Sequence, residues 1–288
     1  MSLAFTIPAI TLGAEAAPKK LILIAGKPSH PPGMHEFNAG CLLFQKCLSG
    51  VKGLEVEVHP NHWVSDDAVL DNADAVVIYA DGGKGHPALQ GNHKELIQKL
   101  VDRGGGLMMM HYGVECSAAD NSGDDFRQWI GGAYETGFSC NPIWDADFKS
   151  FPEHPVTRGI KPFRIADEWY FSIRFQKDMK GVQPFLIATP SDQTRDGPYV
   201  HPKGPYPHIQ ARKGEPETMM WGVERGDGGR GVGFTGGHFH KNWGDENFRR
   251  IVLNAMLWIC KMEVPENGVQ STLTEEDLKA NLDPKGKR

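Results

Sequence analysis

Histidine is the residue type whose number and placement in this chain most clearly indicate chemistry. The 288 residues include 12 histidines, and several follow short apolar segments that predict buried strands. Ligands of an open α/β sheet bind at the carboxyl ends of its strands, where the loops after different strands meet. Neutral imidazole acts there as a base or a metal ligand. The histidine segments placed in this way are His30 with His35-Glu36, His111, and His238 with His240.

His111 has the clearest local pattern of these histidines. Residues 105–113 read as two glycines, four apolar residues, His111, Tyr112 and a glycine. A sharp turn that ends a strand and projects one side chain from the sheet edge has this form. The projecting imidazole predicts an acid–base or metal-binding role. The alternative is a histidine that caps the strand end through a backbone hydrogen bond.

The pair His238-x-His240 has the spacing of a metal-binding pair. Both rings are expected on one side of an extended strand. Two imidazoles bind a divalent metal such as zinc when a third ligand lies nearby. Asp167-Glu168 could supply that ligand as a carboxylate. The alternative is a solvated loop, in which the preceding Gly236-Gly237 serve only the turn.

Aromatic residues are frequent in the second half of the chain, where glycine and proline also accumulate. Exposed tryptophan and tyrosine rings beside polar groups suit a sugar, whose C–H faces pack on rings while its hydroxyls form hydrogen bonds. The alternative is that these rings belong to the core. The residues in question are Trp144, Trp169, Tyr170, Trp221, Phe239 and Trp243.

The elements that must position these residues follow an α/β order. In the first half, apolar runs predict strands at 21–25, 54–58, 74–80 and 107–111, and helical spacing predicts helices at 35–48 and 89–101. Short connections between them favour a parallel sheet with right-handed crossovers. The second half predicts strands at 144–148, 169–175, 185–189, 218–223 and 231–235, and a closing helix at 247–259.

The two ends differ in composition from the rest. Residues 1–18 contain an apolar stretch and an A-x-A pattern, which predict a truncated export signal and a periplasmic or secreted protein. The alternative is a plain tail on a cytoplasmic protein. We expect an α/β domain over residues 19–262 and a loosely docked polar tail over 263–288. No run approaches the roughly 18 apolar residues of a membrane span.

Charge and cysteine content exclude several functions. The formal charge is −5 with a sequence pI near 6.2, so no positive field attracts nucleic acid. None of the five cysteines forms a CxxC pair, which argues against a zinc cage of four thiolates. Hydrophobic residues at 40% and charged residues at 23% are typical of a globular chain.

Taken together, the segments resemble the ThuA-like (trehalose utilisation) family. The resemblance covers about residues 19–262 and implies a flavodoxin-like, class I glutamine amidotransferase-like fold, a mostly parallel sheet with helices on both faces. It also implies a role in carbohydrate metabolism, with keto sugars or glycosides as substrates. The elbow carries His111 where amidotransferases carry a nucleophilic cysteine, so glutamine hydrolysis is not expected. The family is often intracellular, and the export signal is a departure. The matching segments are Ser29-His30, His35-Glu36, Gly106-Leu107, His111, residues 154–160, residues 167–170, Gly236-Gly237-His238, Trp243 and residues 248–258.

Three functions follow from these observations. The first is a hydrolase, lyase or isomerase of a small carbohydrate in which His111 and Glu168 act as acid–base groups. The second is a metal-dependent hydrolase with His238 and His240 as ligands, and the third is a sugar-binding module without chemistry. A homo-oligomer is compatible with each. The expected substrate-binding residues are His30, His35, Glu36, Tyr112, Trp169, Tyr170 and Trp243.

Overall fold

The computed structural model describes residues 17–119 and 121–285. The expected export signal lies almost wholly outside these residues. The described strands are β1 (Lys19–Ala25), β2 (Leu54–His59), β3 (Ala75–Tyr79), β4 (Gly106–Met110), β5 (Gly132–Ala133), β6 (Ile143–Phe148), β7 (Phe163–Glu168), β8 (Arg174–Phe175), β9 (Val182–Ala188), β10 (Glu217–Glu224) and β11 (Arg230–Phe234). The α-helices are α1 (Phe37–Leu48), α2 (Ala68–Asp71), α3 (His93–Asp102), α4 (Gly123–Ile130), α5 (Asp192–Asp196), α6 (Pro207–Gln210), α7 (Glu246–Ile259) and α8 (Glu275–Lys279).

Seven strands form the central sheet in the order β2-β1-β3-β4-β11-β10-β9. The five strands from β2 to β11 are parallel to one another, whereas β10 is antiparallel to both β11 and β9. Strands β1, β3 and β4 lie inside the sheet, and every residue of β3 and β4 is buried. Continuous apolar runs therefore form these central strands, as the sequence predicts for strands covered on both faces.

Helices cover both faces of this sheet. Alternate residues of β1 point to opposite faces, so that Leu23 packs in one hydrophobic cluster and Ile24 in the other. Phe44 of α1 and Phe248 of α7 belong to the first cluster, and Trp129 of α4 belongs to the second. The predicted mostly parallel α/β sheet with helices on both faces is confirmed.

The second half departs from the predicted strand pattern. Strand β7 at Phe163–Glu168 was not expected, and it pairs antiparallel with β6 in a hairpin outside the central sheet. The predicted strand at residues 169–175 is reduced to Arg174–Phe175. The reason is that Trp169, Tyr170 and Phe171 are buried side chains that leave the strand geometry to fill the core. These successive side chains are all buried, so this part of the chain lacks the alternation of buried and exposed residues that a half-exposed strand shows.

The polar tail packs more closely than expected. Val264 and Val269 are buried, and the Val269 amide donates to the Asn254 side chain of α7 at 2.8 Å. Near the end, the Lys285 side chain is only 5% exposed and pairs with Glu36 at 3.2 Å. In the described part of the chain, no helix combines the length and hydropathy needed to cross a membrane.

Candidate active site

His111 lies where the chain leaves strand β4. Its φ angle is +52°, in the left-handed region that non-glycine residues rarely adopt, and a short 3₁₀ helix, His111–Val114, starts there. The imidazole is fully buried, and its Nδ1 lies 2.9 Å from the carbonyl oxygen of Thr235, at the end of β11. The sharp turn at the strand end thus fixes the ring between β4 and β11.

His35 and His238 come from loops after β1 and β11. The His35 amide donates to the His238 carbonyl at 3.0 Å, which joins the two loops. The amides of Gly237 and His238 each donate to the buried Asp167 carboxylate at 3.0 Å. Asp167 belongs to strand β7, so the hairpin outside the central sheet holds the second loop in place.

Three imidazoles and one carboxylate meet in this region. His35 Nε2 lies 3.0 Å from His111 Nε2 and 3.0 Å from His238 Nδ1, and the last two atoms are 3.3 Å apart. Glu168 Oε2 is 2.8 Å from His238 Nδ1 and 3.4 Å from His111 Nε2. All four ligand atoms lie within 4.8 Å of one another, and all four residues are buried. We call His35, His111, Glu168 and His238 the four-residue cluster.

The outer hydrogen bonds determine which ring nitrogens of the cluster hold protons. A backbone carbonyl only accepts, so His111 Nδ1 donates to Thr235 and the neutral ring leaves a lone pair on Nε2. His35 Nδ1 lies 2.8 Å from the Asp81 carboxylate, which likewise keeps the proton there and leaves a lone pair on Nε2. With both rings neutral, two lone pairs face each other at 3.0 Å. A cation at the centre of the cluster would turn this repulsion into attraction.

The donor set and its spacing fit a divalent metal ion. Zinc binds imidazole nitrogen and carboxylate oxygen at about 2.0–2.1 Å, which places neighbouring ligand atoms of a tetrahedron about 3.3 Å apart. The five separations of 2.8–3.4 Å given above are close to that spacing. The Asn141 side chain donates to Glu168 Oε1 at 3.0 Å and leaves Oε2 toward the cluster. Outer partners of this kind orient the ligands of metal sites.

The electrostatics of the cluster match this donor set. Burial by itself raises the pKa of the Glu168 carboxyl. The hydrogen bonds to His111 and His238 and the charges of these imidazoles outweigh burial and lower the pKa to about 2. Burial also holds the pKa of His35 well below its ordinary value, and the His111 and His30 rings lower it further. A negative carboxylate therefore faces His35, which burial favours in the neutral form. At His111, burial lowers the pKa, but the hydrogen bond and charge of Glu168 outweigh it and raise the pKa above its ordinary value.

One side of the cluster opens toward solvent. His30 stacks on His35 with ring centroids 3.6 Å apart, and its side chain is 37% exposed. Asp81, which is 31% exposed, contacts His35 and lies 3.9 Å from His30. Tyr112 is half-buried, with its ring centroid 6.2 Å from that of His35. These side chains form a rim through which a small molecule would reach the cluster.

The predicted site residues divide into those the structure brings together and those it does not. Tyr170 is buried with its hydroxyl 3.3 Å from His111 Nε2, so it contacts the cluster. Glu36 is buried beside His35 but accepts from the Gly33 and Asp283 amides, both at 2.8 Å. Its carboxylate thus anchors the loop and the tail.

Three aromatic or histidine predictions need correction. Trp169 and Trp243 are fully buried in the core cluster, so neither presents a ring face to a sugar. Packing around α7 encloses both rings, which local sequence does not reveal. His240 begins a 3₁₀ helix, His240–Gly244, and is not among the four residues that meet. The helical turn breaks the extended geometry that the His238-x-His240 pairing required.

Sequence reasoning gave no role to Asp81, which the structure places against His35. The sequence does contain an indication of a site residue here, because Asp81 directly follows the third predicted strand and precedes Gly82-Gly83. A polar residue at that strand end belongs to the same sheet edge as the histidines. The sequence offered Asp167-Glu168 as the source of one carboxylate ligand and Glu168 as an acid–base group with His111, whereas in the structure Asp167 positions the backbone and Glu168 joins the cluster.

Comparisons with known proteins agree with this fold. The family model described as ThuA, trehalose utilisation, matches residues 23–259. A ThuA-like protein from Bacteroides uniformis ATCC 8492 has a similar structure with a TM-score of 0.61 and 15% identity, covering 87% of this chain and 95% of that one. Another from Parabacteroides merdae ATCC 43184 has a TM-score of 0.59 and 14% identity, covering 91% and 99%. A search of the curated proteins finds no match.

The two structural neighbours establish the fold at this level of identity. The family match carries the further association with carbohydrate metabolism, because it spans most of the chain and includes all four members of the cluster. The chain belongs to the ThuA (trehalose utilisation) family.

Proposed function

We propose that this protein is a metal-dependent enzyme that acts on a keto sugar or keto-glycoside. The observation that carries the proposal is the convergence of three imidazole nitrogens and one carboxylate oxygen on a single buried point. The family's association with carbohydrate metabolism supports the substrate class. Keto sugars suit the site because a divalent cation polarises a carbonyl oxygen as a Lewis acid.

The proposal assigns ligand roles to His111 and Glu168. His111 Nε2 and Glu168 Oε2 both face the centre of the cluster, with His35 Nε2 and His238 Nδ1 completing the set. An acid–base role for His111 would require a free Nε2 directed at substrate. That atom instead has three polar neighbours within 3.5 Å from the cluster alone.

The remaining residues position the ligands and admit the substrate. Asp81 and the Thr235 carbonyl keep His35 and His111 in the tautomers that bind metal. The Tyr170 hydroxyl lies 3.3 Å from His111 Nε2 and 3.5 Å from Glu168 Oε2, which places a donor beside a substrate oxygen bound there. His30 is the exposed member of the rim and is available to contact the sugar.

A substrate screen with metal control tests this function. The protein is treated with chelator, divided, and reloaded with Zn²⁺, Mn²⁺ or buffer alone. Each sample is incubated with glucosides and their 3-keto derivatives, and products are identified by mass spectrometry. We expect products from keto substrates in a metal-loaded sample only. Equal turnover in the metal-free sample would favour acid–base catalysis by His111 and Glu168, whereas saturable binding without product would favour a binding module.

A further inference from the structure

Glu115 is a half-buried carboxylate near the cluster that the proposed ligand set does not use. It directly follows the 3₁₀ helix His111–Val114, so the turn that places His111 also places Glu115. Its backbone carbonyl accepts from the Gly83 amide at 2.9 Å. Its side-chain Oε1 accepts from the Thr136 hydroxyl at 2.8 Å. Among the described residues, no arginine or lysine forms an ion pair with this carboxylate.

Glycine keeps the space between Glu115 and the rim clear. A Cβ atom on Gly83 would lie 3.5 Å from Glu115 Oε1 and 3.9 Å from the Tyr112 hydroxyl. Both polar groups therefore border the same small opening, and Tyr112 also borders His35. Asp81 precedes the two glycines and contacts His35 from the same loop. Glu115 thus lies next to Tyr112, one of the side chains of the rim.

The surroundings of Glu115 are aromatic and acidic. Burial raises the pKa of its carboxyl to about 7, the Thr136 hydrogen bond lowers it, and the charge of Glu168 raises it. The Tyr134 hydroxyl is buried and has no hydrogen-bond partner among the described residues. The titratable groups whose pKa values are raised by burial and, to a smaller extent, by the charge of Glu115 are Tyr112, Cys116, Tyr134, Tyr170 and Tyr206.

We propose that Glu115 is the base that removes a proton from the carbon next to the carbonyl of a keto sugar bound at the four-residue cluster. This inference rests on the proposed function. In the step, the C–H bond breaks and its electron pair forms a carbon–carbon double bond. The carbonyl π pair moves to the oxygen, which faces the cluster, and the proton forms an O–H bond with the Glu115 carboxylate. Return of the proton reverses the step.

The placement gives a role to a half-buried acid that has no cationic partner among the described residues. Partial removal of a carboxylate from water without a cationic partner disfavours its charged form. A general base is most effective when its pKa is near the working pH, and an aromatic, cation-free environment produces that condition for a carboxyl. Perturbed carboxyls in clefts are accordingly enriched at functional sites.

Hydrogen exchange of a carbonyl sugar tests the step without requiring a complete reaction. The probe is methyl 3-keto-α-D-glucopyranoside in D₂O with zinc-loaded protein, and proton NMR follows the loss of the signals next to the carbonyl. We expect Glu115→Gln to slow enzyme-dependent exchange by about 100-fold or more. Metal content should be unchanged, and Glu115→Asp should retain measurable exchange. Glu95→Gln, at an exposed position of helix α3, is the matched control and should exchange as the wild type does.

The pH profile separates a base from a structural carboxylate. Wild-type exchange should rise with pH and reach half its maximum near pH 7, as Glu115 loses its proton. Thr136→Val removes the hydrogen bond that lowers the pKa of Glu115, so its midpoint should move to higher pH. An unchanged midpoint in Thr136→Val would contradict the assignment, because no other group in the proposal contacts Thr136.

The outcomes distinguish this inference from the proposed function. If Glu115→Gln exchanges the probe as fast as the wild type does, the role of Glu115 is overturned and the proposed function is not. Loss of metal from Glu115→Gln in parallel with loss of exchange also overturns it, since the residue would then be structural. If the metal-loaded wild type neither exchanges the probe nor converts any sugar of the screen, the proposed function fails and this inference fails with it.

Discussion

At the residue scale, three histidines of the candidate site have a strained backbone. His30, His35 and His111 have φ angles of +59°, +48° and +52°. A left-handed conformation costs about 1–2 kcal/mol for a residue with a side chain. Strain of this kind clusters at active sites, where the surrounding structure holds it in place. The strand ends therefore hold imidazoles in orientations that a relaxed backbone would not provide.

His86 gives a test of burial at the residue scale. It is fully buried, accepts from the Ala88 amide at 3.1 Å and donates to the Gly113 carbonyl at 2.9 Å. Burial lowers its pKa from 6.5 to about 4. The unfolded chain thus binds this proton below pH 6.5, whereas the folded protein does not until near pH 4, so stability falls as the pH decreases between these values.

We expect this residue to account for about 2 kcal/mol of the stability lost between pH 7 and pH 5. Urea unfolding of metal-free wild type and His86→Asn at several pH values measures the difference. The variant should have a shallower decline by about that amount. Parallel declines in the two proteins would show that His86 is not held neutral by burial.

The roles of individual residues could be predicted from the sequence only where the neighbouring residues formed a recognisable pattern. His111 stood out because glycines and an apolar strand surround it, and His35 and His238 because they follow strands. The burial of Trp169 and Trp243 was not predictable, since helix α7 and the β6–β7 hairpin enclose them from distant parts of the chain. Glu115 gave no signal, because its isolation from cations is a property of the folded neighbourhood.

At the element scale, the loop after β3 and the turn after β4 approach each other closely. A Cβ atom on Gly82 would lie 2.0 Å from the Tyr112 carbonyl oxygen and 2.9 Å from that of Glu115. Only glycine permits this approach, which brings Asp81 against His35 and Glu115 to the rim. The contact between two strand ends is therefore part of how the site is built.

A pair of glycine substitutions tests this contact. Gly82→Ala should lower the free energy of unfolding by about 2–3 kcal/mol, because the turn must move to admit the methyl group. Gly85→Ala is the matched control: no atom lies within 4 Å of its added Cβ, and we expect a change within about 0.5 kcal/mol. Denaturant unfolding measures both. Equal stabilities for the two variants would mean that the approach at Gly82 is not required.

Elements were predictable where one physical signal dominated. Apolar runs identified β1, β3 and β4, and helical spacing identified α1 and α7. Strand β7 was missed because its polar residues alternate irregularly and its partner β6 belongs to a hairpin outside the main sheet. That hairpin supplies Asp167 and Glu168, so the least predictable element contributes one cluster residue and one positioning residue.

At the scale of the whole molecule, the cluster is a product of topology. His35 and His238 are 203 positions apart in sequence yet 3.0 Å apart at their ring nitrogens. The tail adds a second long connection, because Lys285 donates to the His35 carbonyl at 3.1 Å and pairs with Glu36. The order of strands was predictable in part, and it implied that the histidine loops share an edge. Their meeting at hydrogen-bond distance was visible only in the folded structure.

The central claim is that His35, His111, Glu168 and His238 together hold one metal ion. The most direct measurement is the metal content of zinc-loaded, dialysed protein by elemental analysis, with circular dichroism to verify folding. We expect about one ion per chain in the wild type and in His240→Asn, and less than about a tenth of that in His35→Asn, because one lost ligand weakens a site of four severely. A wild type that retains no zinc, or a folded His35→Asn that retains as much as the wild type, would contradict the account.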